Sequence, residues 1–153
     1  MTTDIPAKVD TPYAGARYAD TPDTPDTPYA AVEPPRVQVD ALEGATLLEF
    51  GSPGCGHCRR AQPLIAASLA AHPAVRHLKI ADGSGRRLGR SFAVKLWPTL
   101  IFLHAGREVA RLVRPQAREE IADALQKVDS RRVDSRRVDS LPLDSLPPEP
   151  PRA

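Results

Sequence analysis

The two cysteines of this 153-residue chain lie three positions apart, in the segment Cys55-Gly56-His57-Cys58. Two thiols at this spacing are typical of a reversible intrachain disulfide that exchanges with other disulfides. A disulfide across two intervening residues closes a very short loop and removes little conformational entropy from the unfolded chain. The pair is therefore better suited to redox chemistry than to stapling the fold.

The residues around the pair predict a strand, a turn and a helix. Residues 45–50 form an apolar strand candidate, residues 51–54 a Gly/Pro-rich turn, and apolar residues recur at helical spacing across residues 59–71. Cys55 would then stand at the helix N-terminus, where unpaired N–H groups and the helix dipole stabilise a thiolate. We expect Cys58, one turn further on, to be buried.

Further elements follow this helix and complete an α/β pattern. The predicted elements are a strand at residues 75–80, a short helix at 85–92, and two hairpin strands at 99–104 and 108–113. Gly106 marks the hairpin turn. Pro115 is expected to open the last helix, whose inner stripe holds Ile121, Leu125 and Val128.

The ends of the chain differ in composition from the middle. Residues 1–36 are rich in proline and repeat Thr-Pro-Asp, and residues 129–153 repeat Val-Asp-Ser-Arg-Arg before a Pro-rich end. Both are expected to be disordered, because such sequences cannot bury a core. Residues 37–128 are long enough for one domain with a single core.

Charge and hydropathy bear on location and partners. The net charge of +2 combines a basic middle with an acidic leader, but no nucleic-acid motif accompanies the basic residues, so nucleic acid is not an expected partner. No apolar run reaches membrane-spanning length, and the N-terminus lacks the pattern of a signal peptide. We therefore expect a cytoplasmic protein whose thiols are kept reduced.

Over residues 45–128 the chain resembles the thioredoxin family. The matching positions are Pro63 in the active-site helix, Trp97-Pro98-Thr99 before a strand, the hairpin Gly106, Glu49 at the position of a buried acid, and Lys79 at that of its lysine. The resemblance implies a thioredoxin-like fold, a central mixed sheet flanked by helices. Residues 37–39 are the candidate first strand, and the N-terminal helix of the fold is hard to find.

The resemblance also implies roles for the site residues. Cys55 would be the nucleophile, Cys58 the resolving thiol, and the two would form the disulfide. Glu49 would accept the proton of Cys58 through a water, provided that burial raises the carboxyl pKa into range. The simpler alternative for Glu49 is an ordinary charge paired with Lys79.

Three more residues complete the expected site. Pro98 would face the disulfide in cis, leaving the Trp97 backbone to pair with an extended strand of a partner, whereas the alternative is a plain trans turn. His57 belongs to a Gly-His dipeptide like that of protein disulfide isomerase. It either favours the Cys55 thiolate or is a solvated residue. Arg114 departs from the family, which commonly has a groove glycine there.

The resulting hypothesis is a thiol–disulfide oxidoreductase that acts as a cytosolic reductant of protein disulfides. We expect a monomer without cofactor or metal, recharged by a reductase. One alternative is a thioredoxin-fold interaction module whose cysteines are incidental. Another is a structural zinc site made of Cys55, Cys58, His72 and His77, although Pro73 would break the helix that a zinc finger needs.

Overall fold

The computed structural model describes residues 28–139, which form a four-stranded mixed sheet with helices on both faces. The helices are α1 (Arg36–Asp40), α2 (Gly56–Leu69), α3 (Arg87–Ser91) and α4 (Arg118–Asp139). The strands are β1 (Ala45–Gly51), β2 (Arg76–Ala81), β3 (Thr99–His104) and β4 (Arg107–Val113). The expected central mixed sheet flanked by helices is confirmed. The disorder predicted for residues 1–27 and 140–153 concerns parts of the chain outside the described range.

The sheet has the strand order β2-β1-β3-β4. β1 runs parallel to β2 and antiparallel to β3, and β3 and β4 form the predicted hairpin. All seven residues of β1 are buried, as expected of an apolar central strand covered by helices on both faces. The buried strand fixes the position of Gly51, and a short turn leads from there to α2, the helix that carries the cysteines.

The hydrophobic core is divided by the sheet into two clusters. One packs β3 against α2 and α4, and the other packs the opposite face of β3 against α1 and α3. Alternate residues of a strand point to opposite faces, which places Phe102 in the first cluster and Ile101 in the second. Each face of the sheet is thus covered by two helices.

The N-terminal part of the domain differs from the sequence prediction. Residues 37–39, the candidate first strand, lie in α1, so a helix of five residues is present there. Pro35 precedes the helix in an extended conformation, Arg36 pairs with Asp40 one turn later at 2.7 Å, and Val39 is buried in the core. Local pairing and burial of one apolar residue are sufficient for a short helix where alternation suggested a strand.

Residues 28–35, upstream of the predicted boundary at residue 37, also contact the folded unit. Ala30 forms a parallel bridge to Ile80 at the edge of β2; its N–H donates to Lys79 O at 2.9 Å, and its carbonyl accepts from Ala81 N–H at 3.1 Å. The carboxylate of Glu33 accepts hydrogen bonds from the first backbone N–H groups of α3 at 2.8 and 3.2 Å. These contacts tie the segment to β2 and α3.

The C-terminal helix differs from its prediction at both ends. α4 begins at Arg118 rather than Pro115, and the N–H of Gln116 donates to the Glu120 carboxylate at 3.2 Å before the helix starts. The helix continues to Asp139, past the predicted end at residue 128, because no Gly or Pro interrupts the repeat there. Neither α4 nor any other helix within residues 28–139 is long and apolar enough to cross a membrane.

Candidate active site

Cys55 is the residue that caps the N-terminus of α2. The chain leaves β1 at Gly51, and the turn closes with a hydrogen bond from Cys55 N–H to Ser52 O at 3.1 Å. The sulfur of Cys55 accepts a hydrogen bond from the N–H of Cys58 at 3.2 Å. The thiol is half-buried and free. Cys55 thus stands at the N-terminus of the helix, the position that the sequence predicted for it.

Cys58 has a different environment one helical turn later. Only 1% of its surface is exposed. Burial, followed by the hydrogen bond with Cys55, raises the pKa of the Cys58 thiol to about 11. Cys58 is therefore a protonated thiol at neutral pH, and it needs a proton acceptor before it can act as a nucleophile.

Glu49 lies in β1 at the centre of a buried polar network. Its side chain is fully buried. One carboxylate oxygen accepts from the Tyr29 hydroxyl and from the Gln62 amide, both at 2.5 Å. The other oxygen pairs with His77 Nε2 at 2.9 Å. The sequence predicted the burial of Glu49 but none of these three partners.

The pKa of Glu49 shifts in the opposite direction from the one assumed in the sequence-based mechanism. Burial alone would raise the pKa, but the hydrogen bond and charge of His77, with hydrogen bonds from Tyr29 and Gln62, hold it below its usual range. Glu49 is therefore a carboxylate at neutral pH. It can accept a proton. Because its pKa is lowered overall, it is a weaker base than an ordinary carboxylate.

Lys79 occupies the β2 position directly beside Glu49 in the parallel register. Its ammonium group donates to Gln62 Oε1 at 2.8 Å and lies 4.8 Å from the centre of the Tyr29 ring. The predicted association of Lys79 with the acid thus includes a link through Gln62. Gln62 follows Cys58 by one helical turn, so the spacing alone would have put both residues on one face of α2.

The start of β3 forms the other side of the site. The Trp97–Pro98 peptide bond is cis. The sulfur of Cys55 lies 3.9 Å from the carbonyl oxygen of Trp97, whose indole donates to Asp82 at 2.9 Å. Arg114 Nε also donates to the Trp97 carbonyl, at 3.0 Å. The Trp97 carbonyl oxygen, which is expected to pair with a partner strand, therefore already accepts a hydrogen bond from Arg114.

The two remaining histidine hypotheses have different outcomes. His57 is exposed at the start of α2, and its influence on Cys55 stays a prediction. The zinc hypothesis is wrong for this fold, because His77 faces Glu49 and His72 pairs with Asp129 at 3.0 Å. Across residues 28–139 no group of three or more His, Cys, Asp or Glu side chains is placed to hold a metal ion.

Tyr29 and Arg114 are the site contacts that are hardest to predict from sequence. Tyr29 lies in a stretch whose composition predicts disorder, 20 residues before Glu49. Arg114 was recognised only as a departure from a family pattern, and its contact with the Trp97 carbonyl spans 17 residues. No local periodicity reports contacts of this kind. Gln62, by contrast, had a usable signal in its spacing from Cys58.

Known proteins with a similar sequence or fold are thioredoxins. The sequence model of the Thioredoxin family matches residues 36–127. Thioredoxin of Chlamydia trachomatis is 31% identical over 84 residues, which cover 55% of this chain and 82% of that protein. The reduced form of thioredoxin 2 from Pseudomonas aeruginosa is 52% identical, with a TM-score of 0.64, covering 69% of this chain and 98% of that one. A thioredoxin mutant from Halobacterium salinarum, 23% identical with a TM-score of 0.56, shares the fold.

The family match covers the sheet, both cysteines and the cis-proline segment. The site supplies a half-buried thiol at a helix N-terminus, a buried second thiol and a buried carboxylate. Disulfide exchange proceeds through attack by one thiol, a mixed disulfide and its resolution by a second thiol. The chain belongs to the thioredoxin family of thiol–disulfide oxidoreductases.

Proposed function

We propose that the protein reduces disulfides in other proteins, with Cys55 as the nucleophile and Cys58 as the resolving thiol. The observation that carries the proposal is the contrast between the two sulfurs. Cys55 is half-buried and accepts the N–H of Cys58, whereas Cys58 is fully buried with its pKa raised to about 11. One thiol is thus prepared to attack and the other is held back.

The reaction takes place in two exchanges. The Cys55 thiolate attacks one sulfur of the partner disulfide, a mixed disulfide forms, and the other partner sulfur leaves as a thiolate that takes a proton from water. Cys58 then loses its proton and attacks Cys55. The Cys55–Cys58 disulfide forms and the second partner sulfur is released. Two electrons pass to the partner, and a reductase must return them to the protein. Glu49 is the proposed final acceptor of the Cys58 proton.

Docking is proposed to use the backbone of Trp97. A partner strand would pair with the Trp97 carbonyl 3.9 Å from Cys55, and this requires the Arg114 side chain to give up that oxygen. Leu96 and Val113, the residues that precede Trp97 and Arg114 in the chain, are 47% and 48% exposed and supply apolar surface. His57, exposed beside Cys55, is proposed to favour the thiolate when it is protonated. We place the protein in the cytoplasm as a monomer.

A second candidate is an interaction module with little redox turnover. The observation that favours it is the hydrogen bond from Arg114 to the Trp97 carbonyl, which occupies the docking atom. An assay of insulin reduction distinguishes the two functions. An oxidoreductase reduces insulin with turnover, and an interaction module does not.

Trapping of the mixed disulfide tests the assignment of the two cysteines. The Cys58→Ser variant should accumulate a covalent adduct with insulin on Cys55, because no thiol remains to resolve it. The Cys55→Ser variant should form little adduct, since Cys58 is buried and protonated. Non-reducing gels and peptide mass spectrometry measure both. Equal adduct formation by the two variants would show that the roles are wrongly assigned.

A further inference from the structure

Tyr29 brings a hydroxyl group into the active site from outside the predicted domain. The bridge between Ala30 and Ile80 fixes its backbone at the edge of β2. Its hydroxyl donates to Glu49 at 2.5 Å, and its ring lies beneath the Lys79 ammonium group. Tyr29 is thus held by both its backbone and its side chain, in one orientation.

The same hydroxyl lies next to the resolving thiol. A Cβ atom built on Gly51 would lie 2.6 Å from the Tyr29 hydroxyl oxygen and 2.8 Å from the Cys58 sulfur, so both atoms border the space beside this glycine. Tyr29 and Cys58 also line one pocket, together with Gln62 and Lys79. Any side chain at position 51 would separate them. The hydroxyl donates to the carboxylate that can accept a proton, and its hydrogen bond lowers the pKa of the thiol that must lose one.

We propose that Tyr29 is a further catalytic residue, whose hydroxyl passes the proton of Cys58 to Glu49 during resolution of the mixed disulfide. The inference rests on the proposed function and deepens it. The Cys58 S–H proton moves to the Tyr29 oxygen while the Tyr29 O–H proton moves to the Glu49 carboxylate. Cys58 Sγ simultaneously attacks Cys55 Sγ, and the partner thiolate leaves. Tyr29 ends neutral, Glu49 is protonated, and the charge leaves with the partner.

The electrostatics of the site favour a concerted transfer. Burial, followed by the charge of Glu49 and its hydrogen bond, raises the pKa of Tyr29 well above its usual range, so a free phenolate does not form. The two protons must therefore move together. In the mixed disulfide Cys55 no longer carries a thiolate, which removes one contribution that raises the pKa of Cys58. Resolution thus becomes easier once the partner is attached.

The Tyr29→Phe variant tests the relay because it removes only the hydroxyl and keeps the ring beside Lys79. Reduced protein is mixed with dithionitrobenzoate in a stopped-flow instrument, and the coloured thiolate is released in two phases. The first phase reports attack by Cys55 and is the internal reference. The second reports resolution by Cys58. We expect Tyr29→Phe to lower the ratio of the second rate to the first by about tenfold or more.

A matched control separates proton transfer from a mere hydrogen bond to Glu49. Gln62→Leu removes the other donor to the same carboxylate oxygen. Losing a donor raises the pKa of Glu49 and makes it a stronger base, so Gln62→Leu should speed the second phase. If Tyr29 were only a donor, Tyr29→Phe would behave in the same way. A slower second phase in Tyr29→Phe alone supports the relay, and equal behaviour of the two variants overturns it.

Coupling to Glu49 provides the second criterion. If Tyr29 and Glu49 form one relay, the double variant Tyr29→Phe/Glu49→Gln should resolve no more slowly than Glu49→Gln alone. Additive losses would overturn the relay. A wild-type protein that never shows the second phase would refute the proposed function itself. A normal second phase in wild type and in Tyr29→Phe would refute only the role of Tyr29.

Discussion

Glu49 combines full burial with a pKa that is held below the usual range of a carboxyl group. A group whose pKa is lower in the folded than in the unfolded state stabilises the fold above its unfolded pKa. Here the unfolded reference is 4.5. The contribution of Glu49 is therefore complete at neutral pH and is lost as the pH falls below about 4.5 and through the lower folded pKa.

The Glu49→Gln variant should be less stable than wild type by about 1–3 kcal/mol at pH 7, since it disrupts a fully buried hydrogen-bonded network. The difference should shrink as the pH falls below about 4.5, because wild type loses the contribution of Glu49 there and the variant has none to lose. Urea unfolding at each pH measures this. The exposed Glu43→Gln serves as the control. A difference that stays constant with pH would contradict the lowered pKa.

Arg114 carries both a backbone strain and a contact that competes with docking. Its φ of 50° lies in the left-handed region, which costs an L-residue roughly 1–2 kcal/mol. Its Nε donates to the Trp97 carbonyl at 3.0 Å. A glycine at this position would adopt the same φ without strain and leave the carbonyl free. Arg114 thus makes a hydrogen bond to the Trp97 carbonyl, and the same bond keeps a partner strand from that oxygen.

The Arg114→Gly variant should therefore bind a disulfide-containing peptide better, with KM lowered severalfold and kcat less affected. The stability change should stay within about 1 kcal/mol, because relief of the left-handed strain offsets the lost hydrogen bond. Arg114→Ala is the matched control, since it frees the carbonyl but keeps the strain; it should share the lower KM and be less stable. An unchanged KM in both variants would remove Arg114 from the docking proposal.

At the scale of elements, the segment before α1 joins the sheet through a single bridge at Ala30. Two backbone hydrogen bonds join this residue to β2. The segment that follows then caps α3 through Glu33 and enters α1. Although it is short, the stretch positions Tyr29 and satisfies N–H groups at the start of α3. It is therefore a structural element of the domain and part of its active site.

Two truncations test the role of this segment. A chain that starts at Pro28 should unfold with nearly the stability of the full chain, because residues 1–27 have a composition that offers little apolar surface to bury. A chain that starts at Arg36 should lose about 2–4 kcal/mol, since it lacks the bridge, the cap on α3 and the Tyr29 contact. Urea unfolding compares the two. Equal stability of both chains would mean that the segment does not contribute to the fold.

At the scale of the whole molecule, strand order decides where the site is assembled. β1 ends beside the beginning of β3, with Phe50 opposite Thr99 in the antiparallel register. The turn after β1 carries Cys55, and the turn before β3 carries Trp97 and Pro98, so these segments meet at one edge of the sheet. β2 ends at the same edge, where Gly51 pairs with Ala81. Asp82, next in the chain, reaches the Trp97 indole from there.

Sequence reasoning was most successful where structure is locally determined. The strand before the cysteines, the capping position of Cys55 and the burial of Cys58 all follow from periodicity and from the chemistry of helix ends. Element ends were less predictable. The five residues of α1 are too few for a clear helical period, and α4 extends past residue 128 through a repeat whose polar composition suggested disorder.

The sequence by itself determined a thiol pair at the start of a helix and a sheet to carry it, and the family resemblance implied a buried acid in the preceding strand. Only the tertiary structure decided how they are connected: Tyr29 reaches Glu49 beside Cys58, and Arg114 takes the Trp97 carbonyl. The physical reason is that periodicity reports which face of an element is buried. It does not report which distant side chain fills the space left by Gly51, because that depends on how separate segments converge in the folded chain.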